Sequence, residues 1–252
     1  MTEPQTESID LPYLKINDFS EEGKKAAEAA AENRPSWRGW IHAGSLPVVI
    51  AAGIVLIVLA NGVPAKIVAA IFFACSFLLF GNSALYHRFN WKPSTKRVLK
   101  RIDHANIFLL IAGSYTPITW LALPQSKAIV LMAIIWGMTL LGIGFRVFWI
   151  TAPRWLYVPI YLGMGWVALA FVADFMAANA PMMVLILAGG LCYSIGAGAY
   201  GFKWPNPSKQ HFGFHEVFHA FTVVAFLCHW VGILLICLHP ALGSFGNLAI
   251  AL

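Results

Sequence analysis

The stretch HFGFHEVFHAF at residues 211–221 contains HEVFH, a literal H-E-x-x-H. On a helix this spacing sets His215 and His219 one turn apart on one face. There two imidazoles can share a zinc ion, with the intervening carboxylate as general base. A zincin also needs a third ligand downstream. After His219 the histidines are His229 and His239, about 15 and 30 Å away along one helix, and neither can close the site. No acid follows Glu216, which removes the later-span aspartate that an intramembrane site-2 type protease uses. The histidine pair must find its partners elsewhere in the chain.

What surrounds the pair is hydrocarbon. Of the 252 residues 59% are hydrophobic and 11% charged, where a soluble domain carries about 25% charged residues. Seven apolar runs, at 40–60, 67–87, 102–123, 128–148, 155–175, 182–202 and 214–238, each have about the 20 residues that cross a bilayer as a helix. They are separated by turn-forming breaks such as NGVPAK, LPQSK and ANAP. The chain reads as an all-α integral membrane protein, a seven-transmembrane helix bundle over residues 38–252, preceded by a polar cytoplasmic tail at 1–37. That tail holds all the acids except Asp103, Asp174 and Glu216. It offers no basic segment followed by an apolar one, so no cleavable signal peptide is expected. Cys75, Cys192, Cys228 and Cys237 all lie inside apolar runs and read as small core residues rather than a disulfide framework.

Orientation follows from the basic residues. With seven spans, all seventeen Lys and Arg except Lys66 and Lys127 fall on one side. The expected topology is N-terminus cytoplasmic and C-terminus outside, in a plasma membrane. The net charge of +6 is accounted for by that topology, and no basic stripe with interleaved aromatics points to nucleic acid.

The orientation places the polar residues. His87 ends span 2, Asp103 and His104 open span 3, and His215 and His219 lie in the first turns of span 7, all at the cytoplasmic leaflet. Ionisable groups in spans are costly and face a bundle interior with partners. Three imidazoles with an open fourth position make a catalytic-type zinc (Zn2+) site. The alternative for Asp103 is simply to pair with a basic neighbour such as Arg101. The lone histidines His42, His104, His211, His229 and His239 read as hydrogen-bonded or interfacial residues.

The stretches NSALYHRF (82–89), RIDHANIFLLIAGSYTPI (101–118), YLGMGW (161–166) and GFHEVFHAFTVVAFLCHW (213–230) resemble the hemolysin III branch of the progestin and adipoQ receptor (PAQR) family. The resemblance runs in order from Trp37 onward. It implies a seven-helix membrane protein in which His87, His215 and His219 bind zinc and Asp103 holds a zinc-bound water, with Ser83 as the motif serine. One departure is HANI after Asp103, where relatives more often read HSGI. This falls on a packing face rather than on a ligand. Relatives carry a non-acidic residue in place of Glu216, so Glu216 is expected to face the basic rim or the helix N-terminus, where the dipole favours a carboxylate.

Three function classes follow. The first is a zinc-dependent hydrolase of lipid amide or ester bonds, as ceramide-cleaving relatives imply. Its partners would be membrane lipids, with an anionic or acyl-chain substrate. The second is a non-enzymatic, zinc-clamped membrane regulator of lipid homeostasis. The third is the pore-forming cytolysin that the family name records, weakly opposed by spans with few polar faces. A retinal photoreceptor is excluded, because span 7 has no lysine for a Schiff base.

Overall fold

Hydrocarbon offers no hydrogen bonds to a backbone, so a lipid-embedded chain must satisfy its amides internally as helix or closed barrel. The computed structural model, which describes residues 35–208, 210–241 and 244, is helical throughout its apolar runs. Its elements are α1 (Trp40–Leu59), α2 (Val63–Arg88), α3 (Pro93–Ala122), α4 (Gln125–Phe148), α5 (Arg154–Gly165), a 3-10 segment (Trp166–Phe171), α6 (Val172–Phe202) and α7 (Phe214–Leu238). Residues 1–34 of the expected tail lie outside the described residues.

Six helical stretches among the described residues are long and apolar enough to cross a membrane. Five are α1, α2, α3, α4 and α7; the sixth is the whole of Arg154–Phe202, 49 residues. At 1.5 Å per residue that would be about 74 Å if straight, more than twice a bilayer core. It is not straight. Asn179 leaves helical geometry (φ −161°, ψ 94°), and its Oδ1 accepts the Met182 N–H at 2.9 Å, the bond of an N-cap residue starting a new helix. Arg154 Nη1 donates to the Tyr200 carbonyl at 3.0 Å, and Trp166 Nε1 to Ser194 Oγ at 3.0 Å. Residues near the two ends of the stretch therefore touch, and the chain reverses at Asn179. The ANAP sequence supplies the cap and a proline that tolerates a first helical turn.

α3 is the hub. It touches α2, α4, α5, α6 and α7, and 78% of its most apolar window is buried, against 28% for α1 and α4. Six hydroxyls in the bundle are satisfied locally: Ser76, Ser114, Thr116, Thr139, Ser194 and Thr222 each donate to the carbonyl four residues earlier, which spares hydrocarbon an open donor. Tyr115 of α3 serves the tighter 3-10 segment. Its hydroxyl donates to the Gly165 carbonyl at 2.8 Å and accepts the Ala168 N–H at 2.7 Å, groups that the change of helix type would otherwise leave open. At the end opposite the histidines, Asn61 N–H donates to the Cys237 carbonyl and Ala241 N–H to the Leu121 carbonyl, both at 2.8 Å, and Lys127 pairs with Asp174 at 2.6 Å. The four cysteines are free, with Cys75 and Cys237 buried.

Close approach of α4 to the hub depends on Gly142, where a Cβ would lie 2.3 Å from Phe108 Cε1 of α3; at Gly144 a Cβ meets nothing within 4 Å. Gly142→Ala is expected to cost about 1–3 kcal/mol by overpacking, read as a lower melting temperature in detergent. Gly144→Ala should be neutral or up to ~1 kcal/mol stabilising, from helix propensity. Equal responses of the two variants would contradict this α3–α4 packing.

Candidate metal centre

Imidazoles brought from separate helices into an apolar interior have to meet a partner there, and three of them meet one another. His87 is the penultimate residue of α2, and His215 and His219 lie in the first two turns of α7. A ligand nitrogen from each falls within 4.8 Å of the others, and His215 Nε2 is 3.2 Å from His87 Nε2. His219 Nε2 is buried with no hydrogen-bond partner. An orphaned, desolvated ring nitrogen costs free energy, and a metal ion is the group that three converging lone pairs would share. The cluster therefore fits a metal ion, and the all-imidazole donor set suits zinc, copper, iron or nickel rather than magnesium or calcium.

Asp103 reaches the same place from α3. Its Oδ2 lies 3.6 Å from His87 Nε2, whereas Arg101 Nε is buried without a partner, so the carboxylate turns towards the histidines. The next residue, His104, rotated about 100° around the helix, bonds the Lys100 carbonyl at 2.8 Å through Nδ1. Its own carbonyl accepts the Tyr161 hydroxyl at 3.1 Å, which pins this turn of α3 to α5. Ser83 is buried one turn before His87 on α2.

Glu216 sits between the two α7 histidines in sequence but points elsewhere. It is 1% exposed. One carboxylate oxygen accepts the Gly213 N–H at 3.0 Å and the other pairs with Arg38 Nε. The glutamate at the third helical position thus closes a capping interaction at the start of α7 and ties that start to the residues before α1. Nearby, the Ser36 and Trp37 amides donate to the carbonyls of Gln210 and His211 at 3.0 and 3.2 Å.

The lone histidines divide. His229 Nε2 donates to the Ile186 carbonyl at 3.1 Å and His211 Nδ1 meets Ser36 Oγ at 2.9 Å, so these and His104 are hydrogen-bonded as expected. His42 is different. It is 2% exposed, and His219 Nδ1 lies 2.9 Å from each of its ring nitrogens. Sequence reasoning passed over it because a single histidine in the first turn of α1 carries no spacing signal.

Comparison with known proteins shows the family to which the chain is similar. A family model described as "Haemolysin-III related" matches residues 31–230. The chain is 34% identical over 154 residues to the "Hemolysin-3 homolog" of Bacillus subtilis (strain 168), covering 61% of this chain and 69% of the relative. It is 31% identical over 183 residues to "Hemolysin-3" of Bacillus cereus, covering 71% and 82%. A more distant similarity, 27% over 191 residues, is to "Progestin and adipoQ receptor-like protein 1" of Caenorhabditis elegans, covering 67% of this chain and 43% of the relative.

Since Glu216 is engaged by Arg38 and Gly213, Glu216→Gln is expected to leave bound metal at the wild-type level and to cost about 1–3 kcal/mol of stability. Arg38→Met should do the same, and the double variant should lose less than the sum, because both remove one contact. Metal loss in Glu216→Gln at unchanged stability would return Glu216 to the metal site.

Proposed function

The chain belongs to the haemolysin-III-related family and is a multi-pass membrane protein, and on that premise we propose that it is a zinc-dependent hydrolase of lipid amide or ester bonds. The observation that carries the reading is the convergence of His87, His215 and His219 with Asp103 beside them. Three protein ligands leave a zinc ion an open position, as in catalytic rather than closed structural sites. Zinc held there would supply a Lewis acid that polarises a carbonyl and makes water acidic enough to attack it at neutral pH. His87, His215 and His219 would hold it from α2 and α7. Asp103, fixed by the Tyr161 anchor on its helix turn, takes the proton of the attacking water at a carboxylate oxygen and returns it to the leaving group. Ser83 adds a hydroxyl one turn from His87. Water is limited by the buried setting, and an acyl chain enters from the bilayer side of the helices.

In the same reading the two arms of Arg154–Phe202 are separate spans, giving seven, with the N-terminus cytoplasmic and the site at the inner leaflet. The support is the basic residues: Arg88, Lys92, Lys96, Arg97, Lys100 and Arg101 lie at the histidine end and Lys127 at the other. Anionic lipids are then favoured, at ~1 kcal/mol per basic residue near the surface. The competing reading, a zinc clamp without catalysis, draws on the same convergence of separate helices.

Purified protein should carry near-stoichiometric zinc that falls sharply in His215→Ala and His219→Ala, and should release fatty acid from ceramide or ester lipid until a chelator is added. Asp103→Ala should keep most of the zinc and lose turnover by about 10²–10⁴-fold, the usual worth of a general base. A zinc-loaded wild type with no hydrolysis of either lipid class leaves the clamp as the function.

Topology is tested separately by single-cysteine labelling in intact cells, on a background without the four native cysteines. A cysteine at Ser94 should resist an impermeant reagent until the cells are opened, while one at Ala180, beside the Asn179 reversal, should label from outside. The opposite pattern inverts the protein and moves the site to the outer face.

A further inference from the structure

Zinc-binding histidines generally use one ring nitrogen for the metal and donate the other ring N–H to an acceptor, which fixes tautomer and ring orientation. The customary acceptors are carboxylates, backbone carbonyls or water. Among the described residues, the side-chain partner that His219 meets is neither a carboxylate nor a carbonyl. Its Nε2 is buried and unpartnered, while its Nδ1 lies 2.9 Å from the ring nitrogens of His42, with ring centroids 3.9 Å apart. From this we infer that His42 is the outer partner of the metal centre. A ring nitrogen of His42 accepts the Nδ1–H of His219 and so holds the Nε2 lone pair of His219 towards the metal.

Three observations support that role over a fourth ligand or a bystander. First, the ligand atoms that lie mutually within 4.8 Å belong to His87, His215 and His219. His42 meets only His219 of these three at hydrogen-bonding distance, so it stands behind that residue rather than beside the other two. Second, His42 is buried on α1, with the Phe80 ring of α2 at 4.7 Å between centroids, and burial of an imidazole without a polar partner is unfavourable. The His219 contact removes that cost. Third, the turn that carries His42 is gripped at the site. Arg38 pairs with Glu216 of α7. Gly39, at φ +82°, sits so close to α2 that a Cβ would lie 2.9 Å from the Arg88 nitrogen and the His87 carbonyl carbon. The first turn of α1 therefore registers against both helices that bear the proposed ligands.

The inference rests on the metal centre proposed above, and zinc affinity tests the two separately. Full-length protein in detergent is stripped by chelator and titrated with zinc against a chromophoric competitor, then with Co2+ for its ligand-field spectrum. His42→Ala is expected to bind zinc about 10–100-fold more weakly, while still saturating at one ion per chain with the wild-type cobalt band. His42→Gln, whose side-chain carbonyl can accept the same N–H, should recover most of that loss. The melting temperature of zinc-loaded His42→Ala should drop by more than that of the metal-free variant, whose loss is the cavity left beside Phe80.

Unchanged affinity in His42→Ala, or an equal melting-temperature loss with and without zinc, overturns the inference. So does a changed cobalt band, which would make His42 a ligand, or a glutamine variant as defective as alanine. A wild type that takes up neither ion overturns the metal centre itself, and with it any partner role.

Discussion

A polar group carried into hydrocarbon costs several kcal/mol unless the chain itself meets it, and the rest of this structure is arranged around that cost. It explains why every apolar run is helical, why Ser76, Ser114, Thr139 and Thr222 turn back to carbonyls of their own helices, and why Tyr115 stands where the helix tightens. It also explains why the histidines cluster. Four imidazoles and a carboxylate at one depth are tolerable only where they meet one another or share an ion, and the ring nitrogen of His219 that stays unpartnered in this buried set is what a metal centre would use. The same constraint that makes the group expensive makes its geometry rigid.

The apolar helices were readable in the sequence because hydropathy reports directly on what lies in hydrocarbon. The reversal at Asn179 was readable too, since ANAP separates two runs of spanning length even though helical geometry continues almost unbroken from Arg154 to Phe202. The meeting of His87, His215, His219 and Asp103 could be inferred because span order fixes the end of the bundle that each occupies. What span order does not fix is rotation about the helix axis. Asp103 and His104 are adjacent in sequence, yet one turns to His87 and the other to its own helix backbone. His42 is 177 residues from its partner and its rotation depends on how Gly39 and Arg38 seat α1, which no local pattern encodes.

HEVFH shows how a motif can match without its mechanism. In a zincin the glutamate of the motif is the general base. Here Glu216 is occupied twice, by the Gly213 amide and by Arg38, and both contacts hold the start of α7 where its histidines face inward. Its position between them in sequence follows from the helix start lying one turn from the site. The carboxylate left beside the histidines is Asp103, which comes from the hub helix at the turn whose His104 carbonyl accepts the Tyr161 hydroxyl.

Depth within α3 bears on what could approach that carboxylate. His42, His87 and His215 are each within a turn of a helix end, but Asp103 lies ten residues inside α3. Since Asp103 and His87 are neighbours, the first ten residues of α3 must continue past the level of the site by about 15 Å. Lys96 and Arg97, exposed on that extension, stand about 10 Å further out than Asp103 along the helix. Lys96 and Arg97 thus stand beyond the histidines on the outward side, while Arg88 adjoins His87 and Arg101 is two residues from Asp103. A lipid whose anionic head rests on this extension would carry the carbonyl that joins head to chain deeper into the bundle, towards Asp103 and the histidines, with its acyl tail deeper still. The vertical offset between the basic extension and the histidine cluster matches the order of parts in a membrane lipid. This gives the proposed hydrolase a physical reason to prefer a substrate already standing in the bilayer over one arriving from water.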